Sequence, residues 1–425
     1  MNYGPIFYLV AFAPVMLHLD RHGVRGMTCL GIALVLASSL LRLFANDAAP
    51  LSVALLHASF ILNAIAGPVA MGVPSKLAAD WFPPESRTTA CAVAALGNAS
   101  GGLVLYLAIA AAFPNPTRAD NFGLNAFLAA LALLNAALAA AFFPSHPAAA
   151  PSASAALAAR AEDAVTLRSL ARATARLARH GPYLAIGAAY ALSTGVFNCV
   201  SALLPQAIAG LGEANPQAVA GWVSFASNAA AVVTGVAFAR VADACMARAA
   251  SAQKRVLVAS LAVAGGFVLA FAVALAPGGV APGRAGIFAV AGLYIGATAA
   301  QGVAIPLLFE VAAEHTGAAR PARKAAAGEE EGGAAGAAGE EAVPVGTMLM
   351  ILTAVSNLVS LVTLSLPNAT FFVWANWTAA AIFLGGALLL AAVLPAASPR
   401  FEFDKDAAAA GAEGDRELLL GQDAQ

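Results

Sequence analysis

Apolar runs of about 20 residues recur along the whole chain, and they constrain its fold more tightly than any other feature. A helix of ~20 residues crosses the hydrocarbon of a bilayer. It does so with every backbone N–H and C=O satisfied inside the segment, as lipid demands. The stretch 51–102 shows the repeating unit. Two such runs are joined by a short polar loop carrying Asp80, Glu85 and Arg87 behind Trp81-Phe82. Pro83-Pro84 stops the first run, because proline offers no N–H and restricts the residue before it. Aromatic side chains beside charges are what a membrane–water boundary prefers. This is a membrane hairpin.

Eleven spans are expected, near 1–18, 27–44, 52–78, 88–113, 122–143, 183–209, 217–241, 256–276, 286–312, 343–366 and 371–394. The fold class is therefore an all-α polytopic membrane protein. Composition agrees: 60% of residues are hydrophobic and 11% charged, against about 25% charged in soluble domains. The formal net charge of -1 lacks the basic footprint of a nucleic-acid partner. There is no nucleotide-binding loop, metal cluster or catalytic triad, so neither an enzyme nor a cofactor is expected. Cys29, Cys91, Cys199 and Cys245 lie in or beside apolar runs and read as single thiols rather than a disulfide framework.

Of 22 Lys and Arg residues, all but Arg42, Arg118 and Arg284 fall in one set of alternate loops or in the tail. Cytoplasmic loops hold that excess, which puts the C-terminus in the cytoplasm and Met1 on the far side. Met1 also abuts the first span, and the expectation is that a further helix precedes it. The domains follow: an N-terminal bundle 1–143, a cytoplasmic linker 144–182 and a C-terminal bundle 183–394, with a disordered tail 395–425. The linker repeats arginine at Arg168, Arg172 and Arg176, one basic helical face suited to anionic headgroups or to solvent. The low-complexity, charge-blocked insert 316–342 reads as disordered. In the tail, Asp415, Leu419 and Leu420 fit an acidic dileucine sorting pattern. Asn368 and Thr370 form a glycosylation pattern close to the membrane.

A weak internal echo links the two halves. HLDRHGVRG carries Asp20, Arg21 and Arg25 after the first span, and GVAFARVADACMARAASAQKR places Asp243 in the corresponding position of the second half. Parallel repeats of a transporter would be spaced this way. An aspartate at such a helix end can take arginines or a neighbouring helix N-terminus, forming a latch that breaks as the halves rock.

These residues resemble the major facilitator superfamily, whose corresponding loop carries a G-x-x-x-D-R-x-G-R-type motif. Asp20, Arg21, Gly23 and Arg25 match it, with Met16 where the leading glycine would stand. Within it the chain is similar to solute carrier family 49. NYGPIFYL, LDRHGVR, LNAIAGPVAMGVPSKLAADWFPPESRTTA, AYALSTGVFN, AGWVSF, GVAFARVADACM and VAIPLLFEVAAEHT resemble that family's segments in order. The similarity begins at the family's second helix. It implies two six-helix bundles around a central cavity, with eleven helices of an expected twelve present. The more similar branch implies proton-driven export of pyridoxine (vitamin B6) from the lysosome or vacuole. The feline leukaemia virus subgroup C receptor branch implies choline, ethanolamine or haem transport at the plasma membrane. Ala99 replaces that branch's fifth-helix glutamine and Asn198 its seventh-helix tyrosine, which weakens the aromatic cage a quaternary ammonium favours.

Polar residues within spans are costly in lipid and face a cavity or another helix. Tyr190, Ser193, Thr194, Phe197 and Ser201 lie in one arc at helical spacing, with Asn198 on its edge. Such a face can stack a flat ring and bind its substituents, or can knit helices together. Tyr294 and Gln301 share a face, and Asn63, Asn98, Asn228 and Asn357 are single polar residues elsewhere. His57 and Glu310 are the candidates for proton coupling, with an ion pair as the alternative for Glu310. Gly97, Gly101 and Gly102 are expected to permit close helix approach. The sequence thus reads as a monomeric secondary transporter of a small organic solute, with protons as a candidate partner and the lipid bilayer as its surroundings. The alternative of another class is a receptor, scaffold or truncated inactive product on the same frame.

Overall fold

The computed structural model describes residues 3–45, 49–112, 117–145, 147, 150–152, 155–156, 167–246, 251–316, 345–365, 368–395 and 405. The 316–342 insert, apart from the helix-ending Thr316, and the Asp415–Leu420 pattern lie outside these. Among the described residues the principal α-helices are α1 (Tyr3–Phe44), α2 (Pro50–Trp81), α3 (Arg87–Ala112), α4 (Arg118–Phe142), α5 (Leu167–Leu177), α6 (Gly181–Ala202), α7 (Leu204–Gly210), α8 (Pro216–Met246), α9 (Ala252–Ala274), α10 (Arg284–Thr316), α11 (Val345–Leu364) and α12 (Asn368–Val393).

At 42 residues, α1 is about twice the length that a bilayer needs. It turns back on itself at Gly23, whose φ of 71° suits a residue without a β-carbon. Both ends of α1 meet the start of α2. Tyr3 bonds His57 at 2.8 Å, while Ser38 bonds Ser59 at 3.0 Å. The limbs Tyr3–Leu19 and Gly23–Phe44 are thus antiparallel neighbours. Among the described residues eight helical segments are long and apolar enough to cross a bilayer, and Tyr3–Leu19 and Met348–Leu364 are shorter apolar helices, in line with the expected all-α polytopic membrane fold.

The α2–α3 hairpin forms as the prolines require. α2 stops at Trp81, Phe82 and Pro83 are extended, and Pro84–Ser86 make one 3-10 turn. Arg87 departs from expectation: it is fully buried instead of facing water with the loop. The second-half helices share one apolar core, with Tyr190, Phe197, Leu257, Tyr294, Phe309 and Phe383 among its members. The first half packs α1 on α2 and α4, and the halves meet along two seams, α1 on α11 and α3 on α8.

Close helix crossings fall at glycines other than Gly97 and Gly101. Gly97 and Gly101 have nothing within 4 Å of where a β-carbon would sit, so they are not packing glycines. α8 and α10 instead cross backbone to backbone: a β-carbon on Gly302 would stand 2.5 Å from the Ala231 carbonyl oxygen. The Thr234 hydroxyl ties the same crossing to the Ala299 carbonyl at 2.8 Å. Gly302→Val should therefore lower stability by about 1–3 kcal/mol, read as a lower melting temperature in detergent. Gly266→Val, where nothing lies within 4 Å, should melt close to the parent.

Candidate transport pathway and its closure

Lys76, Arg87, Arg240 and Lys254 mark one end of the helices as the basic side. There α3 begins while α2, α8 and α10 finish, and the first turn of α3 becomes the centre of a buried polar plug. The N-terminal N–H groups of a helix lack intrahelical partners and carry partial positive charge. Asp243, from the other half, supplies the acceptor. Its Oδ2 takes hydrogen bonds from the Thr89 N–H at 2.8 Å and the Thr89 hydroxyl at 2.7 Å. Gln253 Nε2 donates to Thr88 Oγ1 at 3.0 Å. Arg87 stands 3.7 Å from Glu314, both side chains nearly inaccessible. The same guanidinium donates to the Phe82 carbonyl at 3.3 Å and to Ser152 at 2.6 Å. Lys76 pairs with Asp80 at 3.3 Å, Glu310 is buried, and Cys91 bonds Ser75 at 3.2 Å.

The plug lies between halves, and apolar contacts extend it along both seams. Leu19 and Met16 pack with Met350, and Ala92 and Leu96 with Ala239. Among the described residues these inter-half contacts sit in the basic-side portion of the helices.

Above the plug the predicted face of α6 divides in two. Phe197 stacks on Tyr294 with centroids 5.6 Å apart and meets Phe383 edge-on at 5.9 Å. Ser201 accepts from the Tyr294 hydroxyl at 2.8 Å and donates to the Phe197 carbonyl at 2.9 Å. Ser193 bonds back to the Tyr190 carbonyl at 3.3 Å. Phe197, Ser201, Tyr294 and Phe383 knit the second half together, and Gln301 is buried too. Tyr190, Thr194 and Asn198 form the other stripe, one turn apart. Tyr190 is buried against Phe309, with centroids 5.0 Å apart; Thr194 is half-buried and Asn198 exposed. Exposure thus rises along this stripe away from the plug. On α11, Ser360 accepts from Asn198 at 3.1 Å. Asn357 lies one turn beyond Thr353, and its amide bonds the Thr353 carbonyl at 2.9 Å.

Residues 4–328 match the Major Facilitator Superfamily, more than half of the chain. The chain belongs to that superfamily. This facilitator is 29% identical over 258 residues to a "Solute carrier family 49 member 4 homolog" of Xenopus tropicalis, covering 57% of this chain and 54% of that protein. It is also 29% identical over 220 residues to a choline/ethanolamine transporter of Felis catus, covering 47% of this chain and 37% of the relative. The facilitator chain spans about half the length of the curated relatives it matches. Among solved structures, a D-xylose-proton symporter superposes with TM-score 0.60 at 14% identity, covering 94% of this chain and 87% of that one. A bacterial homologue of the iron transporter ferroportin gives TM-score 0.57 at 12% identity, covering 92% and 88%. At such identities the likeness concerns the fold.

The other sequence candidates fall elsewhere. His57 meets Tyr3, in the first half and at the far end from the plug. Arg25 bonds Ser145 at 2.9 Å, also within the first half, whereas the side chains of Asp20, Arg21 and Asn98 lie outside the described ones. Asn63 is exposed, and Asn228 bonds back to the Ser224 carbonyl at 2.8 Å. Sequence reasoning missed Tyr8, Thr353 and the Arg87–Glu314 pair. For the pair the available signal was two opposite charges at the same basic-side level on different spans.

Proposed function

We propose that the chain is a secondary active transporter working by alternating access. A small, ring-shaped, neutral or weakly basic solute binds along the Tyr190–Thr194–Asn198 stripe while the plug seals the basic side, which we take as cytoplasmic. The observation that carries this reading is the pairing of a buried charged closure at one end with rising exposure toward the other. Breaking the Asp243 cap and the Arg87–Glu314 pair releases the halves, and the solute leaves toward the cytoplasm. Pyridoxine in a lysosomal or vacuolar membrane is the substrate and place that the family 49 resemblance supports. Proton coupling is assigned to Glu310, which shares the plug with Asp243, or to His57 at the far end. The departures at Ala99 and Asn198 count against choline, because a quaternary ammonium favours an aromatic cage.

Counterflow tests this reading. Vesicles carrying the full chain and loaded with unlabelled pyridoxine should accumulate labelled pyridoxine saturably, and Tyr190→Ala should reduce that uptake about tenfold or more, by removing a buried aromatic. Saturable choline counterflow without pyridoxine counterflow would move the chain to the amine carriers. Absence of any saturable uptake would leave a receptor or scaffold.

A further inference from the structure

Tyr8 lies in the middle of the first limb of α1, where its ring rests on α2. A β-carbon on Gly67 would stand 3.2 Å from Tyr8 Cδ2, so the glycine leaves the ring its place. From there Tyr8 reaches across to the other half, beside Tyr190 of α6 and Thr353 of α11. It is 4% exposed, and its hydroxyl, although close to Thr353, makes no hydrogen bond of good geometry among the described residues. A second hydroxyl is in the same condition one turn above Tyr190: Thr194 Oγ1 is buried and without a partner.

Both facts are unusual for this molecule. Hydroxyls on membrane helices commonly bond the carbonyl four residues earlier. Thr298, Thr353 and Thr363 do so here at 2.9 Å, as do Ser201 at 2.9 Å and Thr234 at 2.7 Å. Thr194 does not. A buried polar group left unpaired costs about 1–3 kcal/mol, so two such hydroxyls, one on each half and both within a turn of Tyr190, ask for a partner. The groups about Tyr190 are neutral, and three of the five are aromatic: Tyr190 with Phe309 against it, Tyr8, Thr194 and Thr353. The charged residues Asp243, Arg87 and Glu314 are engaged in the plug, and Glu310, next to Phe309 in α10, is buried.

We infer that the Tyr8 and Thr194 hydroxyls bind the solute from opposite halves, and that the solute is an uncharged ring bearing hydroxyl groups. This rests on the carrier reading above and adds its specificity. The phenol of Tyr8 and the hydroxyl of Thr194 can each donate or accept. The rings of Tyr190 and Phe309 offer a face on which a flat ring stacks. Because Tyr8 belongs to the first half and Thr194 to the second, one bound solute bridges both, and its departure frees them to separate.

The test uses the full chain in nanodiscs, with equilibrium binding of pyridoxine, its three singly deoxygenated analogues (lacking the ring hydroxyl or either side-chain hydroxyl) and choline. Tyr8→Phe and Thr194→Val remove one hydroxyl each with little change of shape. Each should weaken pyridoxine binding about tenfold, the equivalent of ~1.4 kcal/mol. The parent should bind at least one deoxygenated analogue about tenfold more weakly than pyridoxine, and in Tyr8→Phe that difference should vanish, because the partner of the lost group is gone. A merely structural role would lower affinity for all four rings alike, which would overturn the inference. Unchanged pyridoxine affinity in Tyr8→Phe would overturn it too, with the carrier reading intact. Parent protein that binds choline and no pyridoxine would overturn the solute class. Parent protein that binds neither and shows no counterflow would remove the carrier reading and this inference with it.

Discussion

Asp243→Asn is expected to raise the accessibility of Cys91 from the basic side by about fivefold to thirtyfold, without unfolding the protein. The substitution keeps the shape of the side chain and removes its charge. Asp243 Oδ2 accepts from both the N–H and the hydroxyl of Thr89, at a helix end where a negative charge is worth up to ~2 kcal/mol when partly buried. Bonds to an ionised acceptor are roughly twice as strong as neutral ones. Losing about 1–2 kcal/mol from the closed form shifts its balance with the open form by that fivefold to thirtyfold factor. Cys91 is a native reporter, fully buried one turn into α3. In a background with Cys29, Cys199 and Cys245 replaced by serine, a membrane-impermeant maleimide applied from the basic side should label Asp243→Asn faster than the parent. Equal labelling rates would mean that the cap does not hold this end closed. Thr89→Val removes only one of the two bonds and should fall between the two.

The carboxylate behind that prediction was visible in the chain, but its partner was not. Asp243 stood out because it echoes Asp20 half a chain earlier and ends a span with basic residues following. Which helix N-terminus would receive it depends on how the halves dock, and spacing along one chain carries no such information. The crossings themselves were legible because apolar length and proline position act locally: α2 ends at Trp81, ahead of Pro83-Pro84, whatever surrounds it. Arg87 shows where local reasoning ended. Next to Glu85 and two prolines it reads as a loop charge at the water boundary. Its burial follows from Glu314, 227 positions on, approaching to 3.7 Å. The arc on α6 was found as an arc, and the structure divides it. Phe197 and Ser201 turn toward Tyr294, while Asn198 turns toward Ser360 of α11, a distinction of less than a quarter turn that helical periodicity does not resolve. Tyr8 was passed over because an aromatic residue in an apolar run resembles every other one. What distinguishes it is a hydroxyl without a partner, which only the packed structure reveals.

Arg87→Ala and Glu314→Ala are each expected to destabilise the closed protein by about 3–5 kcal/mol, because removing one partner leaves the other charge buried without its counter-ion. For Arg87 the loss is compounded, since its bonds to Phe82 and Ser152 go with it. The paired replacement Arg87→Met with Glu314→Leu should recover most of the melting temperature, because two apolar groups of similar size carry no desolvation penalty. Stability and turnover should then part company. In the parent, separating the halves returns an arginine and a carboxylate to water, and their rehydration offsets the contacts that are lost. In the apolar pair, separation exposes hydrocarbon instead, at about 25 cal/mol per Å², so the closed form is favoured further. The double variant should therefore melt near the parent, label at Cys91 more slowly and transport poorly. Near-parent turnover in the restored double variant would show that the pair serves stability alone. Failure to recover the melting temperature would show that Arg87 matters more for its bonds to Phe82 and Ser152 than for its charge opposite Glu314.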